Sequence, residues 1–344
     1  MDGPMDDPVV AVVGAGVTGA RIAELLAAGG VRVAVIDDRN EVAAAVARAV
    51  GGVVVGLEYA ELADAAILAH PTPQVDLARR LLALGVPVIS MSDDVDDVRS
   101  LLDLAPLAVN HATTIIVGAA MAPGLSGLLA RHLSAQLHDV DEIHVAMHGT
   151  GGPACARQHH RALGGTSVGL HDGEWIMRPA GAGRELCWFP EPVNAYDCYR
   201  AEMPEPVLLN RVFPTVGRMS VRMSATRRDR FTAQLPMLSP PHKEGGIGAV
   251  RVDVRGSLVS GARETFVAGA AVRSGMAAAV VASTMTLWLL GAGVEVMTAF
   301  NGLVVLGDAR LPTADLLERI RWAGVPLFEF TGVSRPPEPG SDDR

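Results

Sequence analysis

Lysine is almost missing from this 344-residue sequence. Lys243 is its single lysine, so 28 of the 29 basic side chains are arginine. A mechanism built on a Schiff base or a proton-relaying lysine has one residue to use, in the loop-like segment SPPHKEGG. Cysteine is scarce as well. Cys155, Cys187 and Cys198 have no paired spacing and cannot all pair with one another, which suits free thiols in a reducing cytosol. Neither C-x-x-C nor H-E-x-x-H occurs, so the expectation is that no metal is bound. Positive charge is short too. A net charge of −9 lacks the basic footprint of a nucleic-acid binder. The opening MDGPMDDPVV has no basic region ahead of an apolar stretch, so a cytoplasmic protein without a secretory signal is expected.

What is abundant is apolar surface. The chain is 49% hydrophobic and 19% charged, enough for a packed core and suggestive of two domains. One run, Ser274 to Val294, carries no charge and approaches the length of a membrane span. It is rich in Gly, Ala, Ser and Thr and has no basic cluster or paired aromatic belt at its ends. A helix buried between a sheet and a second domain has the same composition, and that is the reading adopted; no membrane contact is expected.

Along the first part, apolar strands alternate with helix patterns: PVVAVVG, Val17 to Ala28, VRVAVID, Glu41 to Val50, GGVVVG, AAILAHP, VDLARRLLALG, VPVISMS, VDDVRSLLDLA and TTIIVGAA. Near-continuous apolar strands alternating with helices predict an α/β fold: a Rossmann doubly wound parallel sheet covered on both faces. Beyond MAPGLSG the pattern changes. Leu125 to Leu137 reads as a helix and DEIHVAMHG as a strand. VGRMSVRMSAT, GAVRVDVRGSLV and RETFVAGAAV alternate as in a half-exposed antiparallel sheet. Helices return at Gly275–Leu290 and Thr313–Ala323, with a short strand in PLFEF. The expected division is a dinucleotide-binding domain at 1–123, an inserted α+β substrate or dimerisation domain at 124–262, a segment at 263–330 packing back on the first domain, and a disordered tail at 331–344.

The glycines of GAGVTG follow the first strand, open the first helix and precede, by about 20 residues, an acid ending the second strand. Gly14 permits a tight turn, Gly16 lets backbone approach a pyrophosphate, and Gly19 lets the helix press on the sheet. The helix head at Val17 and Thr18 then offers unpaired N–H groups and a partial positive charge to phosphates. Asp37, flanked by Asp38 and Arg39, is expected at the adenine-side ribose. Its charge disfavours a 2′-phosphate, whereas the Arg39 guanidinium suits one; NAD is favoured over NADP. His70 and Pro71, and Ser90, Ser92 and Asp93, follow strands where open α/β sheets line their ligand crevice. Asp93 also reads as a helix N-cap.

At TTIIVGAAMAPGLSGLLARHLSAQLHDVDEIHV the sequence resembles the saccharopine dehydrogenase (reductase-type) superfamily. The glycine loop, GVPVISMSDD and VRVDVRGSLVSGARETFVAGAAVRSGMAAAVVA are similar as well, so the likeness runs over residues 8–330. It implies a Rossmann domain with an inserted α+β domain, an active cleft between them, frequently a homodimer, and hydride transfer between a nicotinamide and a C–N bond of an amine. Characterised amino-acid members commonly carry an acid immediately before Pro-Gly. Here that position is Ala122, a departure that bears on saccharopine as substrate and leaves a non-catalytic dinucleotide sensor as the alternative. An ATP-using, adenylating reading of the same loop ranks third.

For proton management the histidine-rich stretch AMHGTGGPACARQHHRALGGTSVGLHDGEW, with His148, Cys155, Arg157, His159, His160 and His171, is the candidate, read as a loop over the cleft mouth. His160 and then His159 are the expected acid/base residues, with Arg157 fixing a substrate carboxylate. The cluster of Trp188, Phe189, Tyr196 and Tyr199 reads as core, interface or the wall of an apolar pocket.

Overall fold

The structure, a computed structural model, describes residues 7–237, 240–291 and 300–330. Apolar runs form β1 (Val9–Val13) and β2 (Arg32–Ile36), joined by α1 (Val17–Ala28), which buries Gly19, Ile22, Ala23 and Leu26 along one stripe. Next come α2 (Asn40–Val50), ended by Gly51 in the left-handed region, β3 (Val53–Val54) and β4 (Ala65–Leu68). They are followed by α3 (Val75–Ala83), β5 (Val88–Ser90), α4 (Val95–Leu102), α5 (Ala105–Asn110) and β6 (Thr114–Val117). The segment predicted as one helix through Ala105 is two, because α5 starts afresh with Pro106 in its first turn. These strands are all parallel, in the order β6-β5-β4-β1-β2-β3. The connections reverse direction between β1 and β4, and the ligand crevice of such a sheet opens there.

After α6 (Leu125–Ser134) the chain builds a second sheet. It contains β7 (Asp139–His148), α7 (Pro153–Ala162), β8 (Thr166–His171), β9 (Glu174–Pro179), β10 (Glu185–Trp188) and β11 (Ala195–Arg200). It continues with α8 (Glu205–Val212), β12 (Arg218–Ser224), α9 (Arg227–Thr232), β13 (Ile247–Ser257) and β14 (Arg263–Arg273). β13 and β14 form the expected antiparallel hairpin. β12, however, lies parallel to β7, because the chain crosses over through α7 and α8 before returning. The half-exposed pattern holds: Met219, Val221 and Met223 are buried while Arg218, Ser220 and Arg222 take the other face.

The C-terminal part serves both sheets. β15 (Gly302–Val305) pairs in parallel with β6, completing a seven-stranded sheet, and β16 (Leu327–Glu329) pairs with β14. Between them stand α10 (Ser274–Leu289) and α11 (Thr313–Trp322). α10 is buried on nearly all sides because it packs on α1, α11 and strands of both sheets. Among the described residues no helix is long and apolar enough to cross a membrane. Enclosure by protein explains the uncharged run. Residues 292–294 of that run, and the predicted tail at 331–344, lie outside the described residues.

Candidate active site

The glycine loop has the geometry of a phosphate cradle. Gly14 turns with φ +104°, its N–H donates to the Ile36 carbonyl, and a Cβ there would press on His70 N at 2.7 Å. Gly19 lies so close to the loop that a Cβ would collide with the Gly14 carbonyl. Gly16, by contrast, has nothing within 4 Å of its Cβ position. Gly16 caps α1 without any side-chain acceptor, so the first amides of the helix, at Val17 and Thr18, are left for an external partner. Val17 is exposed and Thr18 half-buried at this head. A pocket of about 490 Å³ lined by Gly16, Val17, Arg39 and Val42 adjoins the loop, within the size range of small-ligand sites. These residues fit a dinucleotide.

Asp37 lies under the loop, where its Oδ2 accepts the Ala15 N–H at 2.7 Å. Arg39 closes on the same carboxylate, Nε to Oδ1 at 2.8 Å and Nη2 to Oδ2 at 3.0 Å. Burial pushes the Asp37 carboxyl up, but the Arg39 and Ala15 hydrogen bonds together outweigh it and hold the group well below the usual carboxylate range. The Asp37 carboxylate is therefore already paired, and its negative charge is offset by an adjacent cation. Asp38 is almost fully exposed and lies 3.7 Å from Arg39 Nε.

The crevice places His70 beside the Gly14 turn, with Nδ1 2.7 Å from the Pro71 carbonyl, Nε2 buried without a partner, and Pro71 exposed. Ser90 is a correction. It is fully buried, its hydroxyl donates to Gln74 Oε1 at 2.8 Å, and it presents nothing to a ligand. The helix cap is also reassigned: Asp94, not Asp93, accepts the amides of Asp96 and Asp97. Asp93 is thereby free to face the second sheet's α7.

The predicted histidine loop is largely a helix. Pro153 starts α7 after Gly152, and the head of α7 meets the heads of α1 and α10: Gly152 lies against Val17, and Gly275 against Gly151 and Thr18. Gln158 Nε2 donates to Asp94 Oδ2 at 3.0 Å and ties α7 to the head of α4. One helical turn apart, Cys155 and His159 share a face, with Cys155 Sγ 3.5 Å from His159 Nε2. Asp93 Oδ2 approaches the same nitrogen at 3.4 Å. His159 is 5% exposed and its Nδ1 has no partner. Burial alone would lower the imidazolium pKa. The charge of Cys155 and the hydrogen bonds that the protonated ring donates to Asp93 and Cys155 override that and raise it well above the ordinary histidine value. Near them, Glu205 at the start of α8 is 1% exposed with neither carboxyl oxygen partnered, against the Pro123–Gly124 turn.

Of the expected catalytic trio, only His159 enters this cluster. His160 turns away, its Nε2 3.0 Å from the carbonyls of Thr232 and Leu235, which fastens α7 to the segment after α9. Arg157 is exposed on the side of α7 opposite Cys155. Lys243 is exposed. Phe189 and Tyr199 are buried, whereas Trp188 and Tyr196 are exposed, with the His148 ring 4.1 Å from that of Tyr196. Asp93 was ambiguous in sequence between cap and ligand contact; Cys155 stands one helical turn from His159 in the sequence, whereas Asp93 and Glu205 come to them from distant segments.

A family model described as FAD dependent oxidoreductase (DAO) matches residues 10–143. No curated protein matches the chain. Among solved structures, the saccharopine dehydrogenase (L-Glu forming) of Saccharomyces cerevisiae is 12% identical. It superposes with a TM-score of 0.70 over 94% of this chain and 100% of that one. A meso-dapdh variant with DAP from Clostridium tetani E88, also 12% identical, gives 0.50 over 90% and 96%. At such identities the likeness is one of fold. The fold read from the sequence is the one found, a Rossmann sheet with a second α+β layer like that of saccharopine dehydrogenase.

Proposed function

We propose that this chain is an NAD(P)-dependent oxidoreductase that moves hydride at a C–N centre of a small amino-acid-like metabolite. The observation that carries the reading is the open Gly16 cradle at the head of α1, against which the head of α7, the helix bearing Cys155 and His159 beside Asp93, is packed. Bound nicotinamide supplies the hydride acceptor or donor. The α1 amides hold phosphate, and Asp37 with Arg39 receives the ribose end. From α7 and Asp93 an imidazole, a carboxylate and a thiol meet the substrate's nitrogen with groups able to hold or release a proton at Nε2, Oδ2 or Sγ.

Calorimetry with NADH, NADPH and FAD tests the cradle, and the near-ultraviolet absorbance of reduced nicotinamide over an amino-acid, polyamine and keto-acid panel tests the chemistry. Binding of a nicotinamide dinucleotide with turnover of an amine or imine is expected. Binding without any turnover would favour the sensor reading, which Ala122 in place of an acid supports. Preference for FAD, or no binding, would overturn the proposal. Arg39→Ala should weaken NADPH roughly tenfold while changing NADH little, since a guanidinium clamps a phosphate and only neighbours a diol.

A further inference from the structure

We infer that Asp93, Cys155 and His159 form a zinc site with an open coordination position. Three different ligand types, from the β5–α4 connection and from α7, place their donor atoms within 4.8 Å of one another. Two edges of the triangle, 3.4 Å from Asp93 Oδ2 to His159 Nε2 and 3.5 Å from Cys155 Sγ to the same Nε2, match the ligand-to-ligand spacing of a tetrahedron with metal bonds of about 2.0–2.3 Å.

The directions of approach matter as much as the distances. A nucleophile–histidine–acid relay uses the two opposite nitrogens of the ring, one toward each partner. Here the carboxylate and the thiol both converge on Nε2, while Nδ1 is buried without a partner. Convergence of three donors on one point is ligation geometry, and it is a poor arrangement for passing a proton along a line.

The donor set selects the ion. A thiolate and an imidazole are unsuited to Mg²⁺ or Ca²⁺, which prefer oxygen, and suit Zn²⁺ with nitrogen, sulfur and one carboxylate oxygen. Thiolate and carboxylate together neutralise a dication, so the loaded site adds no net charge to a buried place. His159 forms the closed side, whereas Asp93 and Cys155 are only half-buried, so the fourth position opens on their side. The inference uses the three residues to which the proposed function gives a proton-holding role, but it does not depend on hydride transfer, since they would take the ion whether or not a nicotinamide binds.

The test uses the full chain, treated with a chelator and then titrated with Zn²⁺ against a chromophoric competitor, and separately with Co²⁺. One equivalent of Zn²⁺ should bind. Co²⁺ should show the strong visible bands of a tetrahedral site and a thiolate-to-cobalt charge-transfer band. Cys155→Ser should abolish that charge-transfer band, and Asp93→Asn, which keeps the side chain's shape, should weaken Zn²⁺ binding at least about tenfold. Circular dichroism establishes that both variants are folded. Absence of stoichiometric Zn²⁺ binding by the folded wild-type chain overturns the inference. So does a charge-transfer band that survives Cys155→Ser, or Zn²⁺ affinity unchanged in Asp93→Asn. None of these readouts involves cofactor, so failure here leaves the redox proposal standing, and the reverse is equally true.

Discussion

Glu205 stands at the head of α8, where its N–H-rich surroundings would favour a carboxylate, yet neither side-chain oxygen is partnered by another residue. Burial dominates: it pushes the carboxyl up to about 7, with its own backbone amide and the His159 charge offsetting only part and the Asp93 charge adding to the rise. In the unfolded chain the same group titrates near 4.3. Below that value both states hold the proton and its contribution to stability is complete. As pH climbs toward 7 the unfolded state ionises first, and about 3 kcal/mol of stability is lost through this window. Glu205→Gln should remove the loss, so the variant gains on the wild type between pH 5 and pH 8 by roughly that amount. Urea unfolding of chelator-treated protein at the two pH values measures it; parallel pH dependences would show that Glu205 is already ionised in the fold. At this scale the sequence was readable only in part. The Asp93–Asp94 doublet announces a cap, but which of the two caps depends on backbone geometry. The free one becomes visible only when α7 is laid beside it.

Elements divide more cleanly. The three glycines of the loop look alike in sequence and do different physical work. Gly19 faces the Gly14 carbonyl so closely that any Cβ must push α1 off the sheet, whereas Gly16 borders open space. Gly19→Ala is therefore expected to cost about 2–3 kcal/mol by overpacking. Gly16→Val should leave thermal stability nearly unchanged while reducing dinucleotide affinity at least about tenfold, by filling the space over the α1 amides. Thermal melts and calorimetry on the pair check both halves, and a Gly16→Val protein that binds normally would move the ligand elsewhere. The β1–α1–β2 unit was legible because strand period, helix stripe and glycine spacing all agree. α7 was not: four of the five residues Gly149–Pro153 are Gly or Pro, and together they read as a loop. Only the placement of Pro153 at a helix start, after Gly152, signals the helix that carries Cys155 and His159.

At the scale of the molecule, the two sheets share their largest core, although the first sheet also has a second buried cluster of its own. One continuous cluster of buried apolar side chains runs from Val10 and Ile22 under the first sheet to Val145, Met219 and Val252 under the second, through Ala277, Val281 and Met285 of α10. The last described segment then closes an edge of each sheet, β15 on β6 and β16 on β14. Parallel strands buried on both faces and shared helices leave little that folds alone. Ending the chain at residue 299 should therefore uncover the β6 and β14 edges together, strip α11 from α10, and destabilise both halves rather than the second alone. Limited proteolysis reads this directly. The shortened chain should lose protection at sites in the first sheet as well as the second, whereas a protease-resistant fragment covering β1 to β6 would establish that the Rossmann sheet is complete without its C-terminal strand.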